Sequence, residues 1–232
     1  MNLKFYIKVY LLIFLSIQSL HALTLTVNPS RSFIVDANNQ NVELAEPYVG
    51  TSGSTINNVA AIFFRMPTLA NFESFNSIRF NVTVEDKIGL NPGSTIHFGV
   101  LKRSSDTPQN GDYSNGPNDF GTTEVSLIPN STTVGTTVAT ESDQAVNAWV
   151  TNNYEAGQYL MVQLIDSPHE TKLNARWVFS NAKLVIDYNV VPEVSTSGLI
   201  LGSLAFGFIC IRRGRYNRFL NRKQFIPFSR QS

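Results

Sequence analysis

The chain has 232 residues, 43% of them hydrophobic and 15% charged, with a formal net charge of +1. That length allows one globular domain with a sizeable core, and the single cysteine, Cys210, excludes a disulfide framework. The near-neutral total hides an asymmetry: Leu23–Val191 holds 16 acidic and 9 basic residues, about −7, whereas the chain from Arg212 onward has 7 basic residues and no acid. An acidic middle repels phosphate and argues against a nucleic-acid partner.

In chain order, Lys4 and Lys8 precede the apolar run Val9–Ile17, and Ser19-Leu20-His21-Ala22 follows. A basic start, a short apolar segment and a small exit residue predict a secretory signal peptide over residues 1–22, cut after Ala22.

Residues 23–190 read as strands. Leu23, Leu25 and Val27 alternate with Thr24 and Thr26, and Ser32–Val35 follows. Val59–Met66 is a longer apolar run closed by Pro67. Ile78, Phe80, Val82 and Val84 alternate with Arg79, Asn81, Thr83 and Glu85, the clearest period-two stretch. Ile96, Phe98 and Val100 alternate with His97 and Gly99; Thr123–Ile128, Gln158–Ile165, Arg176–Phe179 and Lys183–Tyr188 complete the set. Between them, Ser142 is placed to cap a helix whose Val146, Trp149, Val150 and Tyr154 share one face, with Gly157 ending it. The expected fold is all-β: two packed antiparallel sheets, a jelly-roll-like sandwich, with one short helix.

The middle offers little chemistry. His97 and His169 are the histidines left after the signal, too few for a zinc site of ordinary spacing. Gly50-Thr51-Ser52-Gly53-Ser54 lacks the second glycine of a nucleophile elbow and reads as a loop. Glu141-Ser142-Asp143 begins like a strand-borne glycosidase acid set, but Ala145 holds the third position and the acids suit a helix start. The loop from Asp106 to Asp119 is the richest polar stretch. Asp106, Asp112, Asn115 and Asp119 are candidate hard-oxygen ligands for Ca²⁺, although no EF-hand spacing occurs and a solvated loop of turn-forming residues is the favoured account of the composition. Tyr113 and Phe120 in the same loop are candidates for stacking on sugar rings, whereas the apolar neighbours of Trp149 and Trp177 assign both to the core.

The C-terminus is more specific. No charge falls between Glu193 and Arg212, so residues 195–211 are expected to form a transmembrane helix. The uncharged run of 18 residues would reach about 27 Å as a helix, close to the thickness of a bilayer core. Arg212, Arg213 and Arg215 directly behind it act as the membrane stop and leave the preceding domain outside; residues 216–232 form a basic tail on the cytoplasmic side. Gly198 and Gly202 also make a GxxxG spacing.

Pro192-Glu193, the Ser/Thr spacer, the short Gly/Ala/Leu/Phe-rich segment and the arginine cluster resemble the PEP-CTERM sorting signal of exopolysaccharide-producing bacteria, over residues 191–215. The resemblance implies processing at Pro192-Glu193 by an exosortase, a membrane enzyme. Val194 stands where that family has a second proline, and the chain continues past Arg215. Both departures leave open whether the segment is cleaved or stays as an anchor. The strand order, with Ala60-Ala61-Ile62-Phe63-Phe64-Arg65 early and Leu184, Ile186 and Tyr188 at the close, is similar to bacterial jelly-roll modules of the DNRLRE and carbohydrate-binding type.

Together these features lead to the expectation of an exported, non-enzymatic protein of the cell surface or exopolysaccharide matrix, structural or polysaccharide-binding. Its expected partners are an exosortase-type enzyme, the membrane and extracellular polysaccharide. The alternatives are a small surface glycoside hydrolase or lyase, or a permanently anchored adhesion subunit.

Overall fold

The computed structural model describes residues 21–53, 56–109, 112–113, 125–140, 144–167, 170–191 and 202. The chain divides into two units after Val191, and every strand belongs to the first. Of the expected signal peptide, residues 1–20 lie outside the described residues and His21 and Ala22 begin β1; the capping Ser142 and, except for Gly202, the sorting, membrane and tail segments from Pro192 also lie outside them. Among the described residues no helix is long and apolar enough to cross a membrane.

The domain is all-β. In chain order it contains β1 (His21–Val27), β2 (Arg31–Asp36), β3 (Asn41–Glu43), β4 (Tyr48–Thr51), β5 (Asn57–Arg65), β6 (Phe72–Ile88), β7 (Thr95–Arg103), β8 (Val125–Pro129), β9 (Thr137–Ala139), α1 (Gln144–Asn153), β10 (Tyr159–Ser167) and β11 (Arg176–Val190). All pairings are antiparallel and the strands join into one nearly closed sheet. One flank runs β3-β2-β5-β10-β7-β8. On the other, β11 lies between β6 and the pair β1 and β4, and β9 follows β6. β4 links the flanks, because Gly50 faces both Asn58 of β5 and Arg176 of β11.

Alternation builds the core. Ala60, Ile62 and Phe64 of β5, Ile78, Phe80, Val82 and Val84 of β6, Ile96, Phe98 and Val100 of β7, and Leu160, Val162 and Leu164 of β10 point inward. Phe80 meets Phe64 and Phe98, each at 6.0 Å between ring centroids, and so joins the two flanks across the interior. A smaller cluster lies on the outer face of the first flank: Phe33, Val35, Val59, Ala61, Phe63, Met161 and Ile165. β5 and β10 are therefore buried on both faces, which is why their sequences are continuous apolar runs rather than alternating ones.

The two segments expected around residues 176–179 and 183–188 are one strand, β11. Its inward set changes parity, from Trp177 and Phe179 to Leu184, Ile186 and Tyr188. One extra residue is absorbed between Ser180 and Lys183, where the pairing with β6 shifts and Asn181 adopts φ 51°. That is a β-bulge, with asparagine tolerating the left-handed backbone. β1 is fastened to this strand by Asp187. Its carboxylate accepts from Thr24 Oγ1 at 2.6 Å, Ser77 Oγ at 2.8 Å and Arg79 Nη2 at 2.7 Å. The Thr24 bond first, then Ser77 and Arg79, hold the acid below its usual range against desolvation.

The expected helix is α1, with Val150 buried and Trp149 and Tyr154 packed on the core. Gly157, at φ 85°, turns the chain after it and donates to Met66 O at 2.8 Å. Trp177 is fully buried, stacks parallel to Phe179 and donates its indole N–H to Ser94 Oγ at 3.1 Å. Trp177→Ala is expected to cost about 3–5 kcal/mol, read as a lowered urea midpoint with unchanged slope.

Candidate functional site

The polar loop between β7 and β8 is described at its start and at Asp112 and Tyr113; Asn115, Asp119 and Phe120 lie outside the described residues. Asp112 is 1% exposed and forms an ion pair with Arg103 at the end of β7. Its second carboxylate oxygen accepts the Gln109 N–H at 2.7 Å, and its carbonyl accepts the side-chain amide of the buried Gln163. Asp106 lies 4.0 Å from Arg31. Each described acid of the loop thus faces an arginine, which a bound Ca²⁺ would have to displace. No group of three or more His, Cys, Asp or Glu able to hold a metal occurs among the described residues.

Tyr113 is half-buried against the outer cluster of Phe33, Phe63 and Met161 rather than standing clear as a stacking platform. Burial, then the nearby Asp166 and Asp36, push its phenol up. His97 faces away from the core, as its alternation predicts, yet is only 7% exposed; it pairs across the ladder with Ile165 and lies 3.1 Å from Thr95 Oγ1.

Two carboxylates near the end of β10 are also buried, Asp166 and Glu170, each 1% exposed. Asp166 accepts from Asn57 Nδ2 at 2.8 Å and from the Glu170 N–H at 2.7 Å. Glu170 accepts the backbone and side-chain N–H groups of Asn91 at 2.8 and 2.6 Å. These bonds tie the β6–β7 turn to the β10–β11 connection, and the acids are closed off from any dissolved substrate.

The open site lies elsewhere, on the β11 bulge. One edge of β11 pairs with β4 at residues 176–178 and with β1 at 184–190. Between them, among the described residues, the backbone bridge is from the Phe179 N–H to Pro47 O at 3.0 Å. Pro29 and Pro47 flank the gap, and a proline offers no N–H to continue a ladder. The result is a cleft of about 240 Å³ lined by Asn28, Ser32, Ile62, Phe179, Asn181 and Lys183 among others. Ile62 and Phe179 lie beneath it, fully buried in the core; the apolar atoms it presents come from Pro29, Ala45 and Ala182, and its rim carries amides, hydroxyls and one amine. No described residue lining it is acidic.

None of the rim residues belongs to a local motif. Asn28, Ser32, Pro47 and Asn181 meet because three separate chain segments converge on one strand edge. The one signal in the sequence was the polar interruption Ser180-Asn181 between two apolar strands. No protein-family model matches the chain, and no curated protein matches it.

Asp112→Ala leaves the Arg103 guanidinium without its partner and is expected to cost about 3–5 kcal/mol, measured by urea unfolding. The loss should be equal in Ca²⁺ and in EDTA; stabilisation of the wild type by Ca²⁺ that the variant lacks would instead make Asp112 a ligand.

Proposed function

We propose that this is an exported, non-catalytic surface or matrix protein whose β-domain binds a sugar ring of an extracellular polysaccharide in the β11 cleft. The observation that carries the reading is the cleft's composition: apolar atoms of Pro29, Ala45 and Ala182 for the face of a ring, and amides, hydroxyls and one ammonium, with no carboxylate, for its hydroxyls. At about 240 Å³ it is smaller than the roughly 300–1,000 Å³ of pockets that enclose drug-sized ligands. It suits one ring of a chain that passes over the surface. Glycoside hydrolysis needs two carboxylates flanking an accessible bond, and the buried pair Asp166 and Glu170 is engaged in hydrogen bonds within the fold.

The finer architecture we propose is a jelly roll. Its support is the strand order, β4-β11-β6-β9 facing β5-β10-β7-β8, in which the first and last strands of each row are interleaved as two nested Greek keys would place them. Export, sorting and tethering rest on the signal-like start, Pro192-Glu193, the uncharged run and Arg212, Arg213 and Arg215. Retention of that tail in the mature protein makes it a permanently anchored adhesion subunit; cleavage by an exosortase releases it to the matrix.

Ala182→Trp places a bulky ring in the cleft at a partly buried, bulged position. Glycan-array binding by the intact protein is expected to fall at least about tenfold, equivalent to about 1.4 kcal/mol, with the thermal midpoint retained, whereas Tyr113→Ala leaves binding in place. Absence of binding to any glycan by the wild type would refute the reading.

A further inference from the structure

β1 starts and β11 ends at the same end of the domain. Leu23, the first residue after the expected cut, pairs with Tyr188 on one edge of β11, and Val190 pairs with Phe72 on the other. The Val191 N–H closes this end on Asn71 O at 2.8 Å. Here the core finishes in a row of aromatic rings. Phe72 lies 4.5 Å from Phe75 and 6.3 Å from Tyr188, and Phe75 lies 5.0 Å from Tyr154. Leu23 stands opposite Tyr188 in the ladder and continues the row on the other side. The Tyr154 hydroxyl donates to Pro67 O, and burial, then Tyr188, push its phenol up to about 12, so it stays a neutral donor.

Three apolar side chains at this end face water: Leu23 at 45%, Phe72 at 41% and Val191 at 52% exposure. Exposure alone does not single it out, because Val134 and Leu173 at the opposite end are equally open. The difference is the chain. Only Pro192, Glu193 and Val194 separate Val191 from the uncharged segment 195–211, and three residues reach at most about 10 Å. The interfacial layer of one leaflet is about 5–8 Å thick, so on the anchoring reading a tether of that length brings this end, and not the opposite one, up to the layer where aromatic rings are favoured.

We propose that this end of the domain is a lipid-contacting surface, with Leu23, Phe72 and Val191 resting in the bilayer interface and the opposite end pointing away from the membrane. The inference rests on the anchoring reading and extends it, giving the domain one orientation rather than a free tether. Asp187 serves it by fastening Thr24, and with it Leu23, to β11 and β6.

The test uses the full chain with Cys210→Ser and one new cysteine carrying an environment-sensitive fluorophore, either Phe72→Cys or Leu23→Cys, with Val134→Cys as the distal control. The protein is reconstituted into phosphatidylethanolamine–phosphatidylglycerol vesicles containing lipids spin-labelled near the headgroup. Emission from positions 72 and 23 is expected to fall roughly twofold as expected of an interfacial site, with position 134 unaffected. Co-flotation with vesicles but equal, unquenched emission at all three positions overturns the orientation alone. Failure to float with vesicles overturns the anchoring reading and this inference with it.

Discussion

β11 is the constraint on which the domain depends. Along one edge it carries most of the length of β6, and along the other it passes from β4 to β1. A single strand thus joins β6 to β4, holds the N-terminal strand and delivers the chain to Val191. A regular strand of 15 residues would have to keep one parity throughout; here Trp177 and Phe179 and then Leu184, Ile186 and Tyr188 all reach the core because one residue is extruded at the bulge. The extrusion preserves the hydrophobic burial at both ends of the strand, and it opens the cleft in between. Packing and candidate function are consequences of the same local irregularity.

The polar groups of the domain divide by burial. Asp112, Asp166 and Glu170 are each about 1% exposed and are met by an arginine, by asparagine amides or by backbone N–H groups. Such groups fix loops, since an unpaired buried carboxylate would be costly. Asn28, Ser32, Asn181 and Lys183 remain around an opening over the core. Buried carboxylates hold loops, whereas the cleft on β11 presents amides, hydroxyls and one ammonium; the binding proposal rests on that division.

Much of the fold was legible in the sequence. The alternation Ile78-Phe80-Val82-Val84 gave the inward face of β6, and the amphipathic spacing of Trp149, Val150 and Tyr154 gave α1. β3, β4 and β9 were not legible, because three or four residues are too few to show a period and are set by their neighbours' ladders. The outward Phe72–Ser77 half of β6 was missed for a different reason: its residues are mostly exposed and carry no apolar alternation. Two segments were read where β11 is one, although the parity change from Phe179 to Leu184 is itself the signature of a bulge. The polar loop drew attention by composition, yet its described residues Asp112 and Tyr113 are fastened inward. The cleft was invisible, since its lining is assembled from residues more than 150 positions apart.

Residue-resolved amide hydrogen exchange along β11 tests the central claim most directly. Asn181 and Ala182 fall between ladder pairs on one edge and opposite the gap on the other, so their amides should exchange orders of magnitude faster than those of the paired residues Leu184–Tyr188. Uniform protection from Arg176 to Val190 would mean an unbroken strand, a closed seam and no cleft.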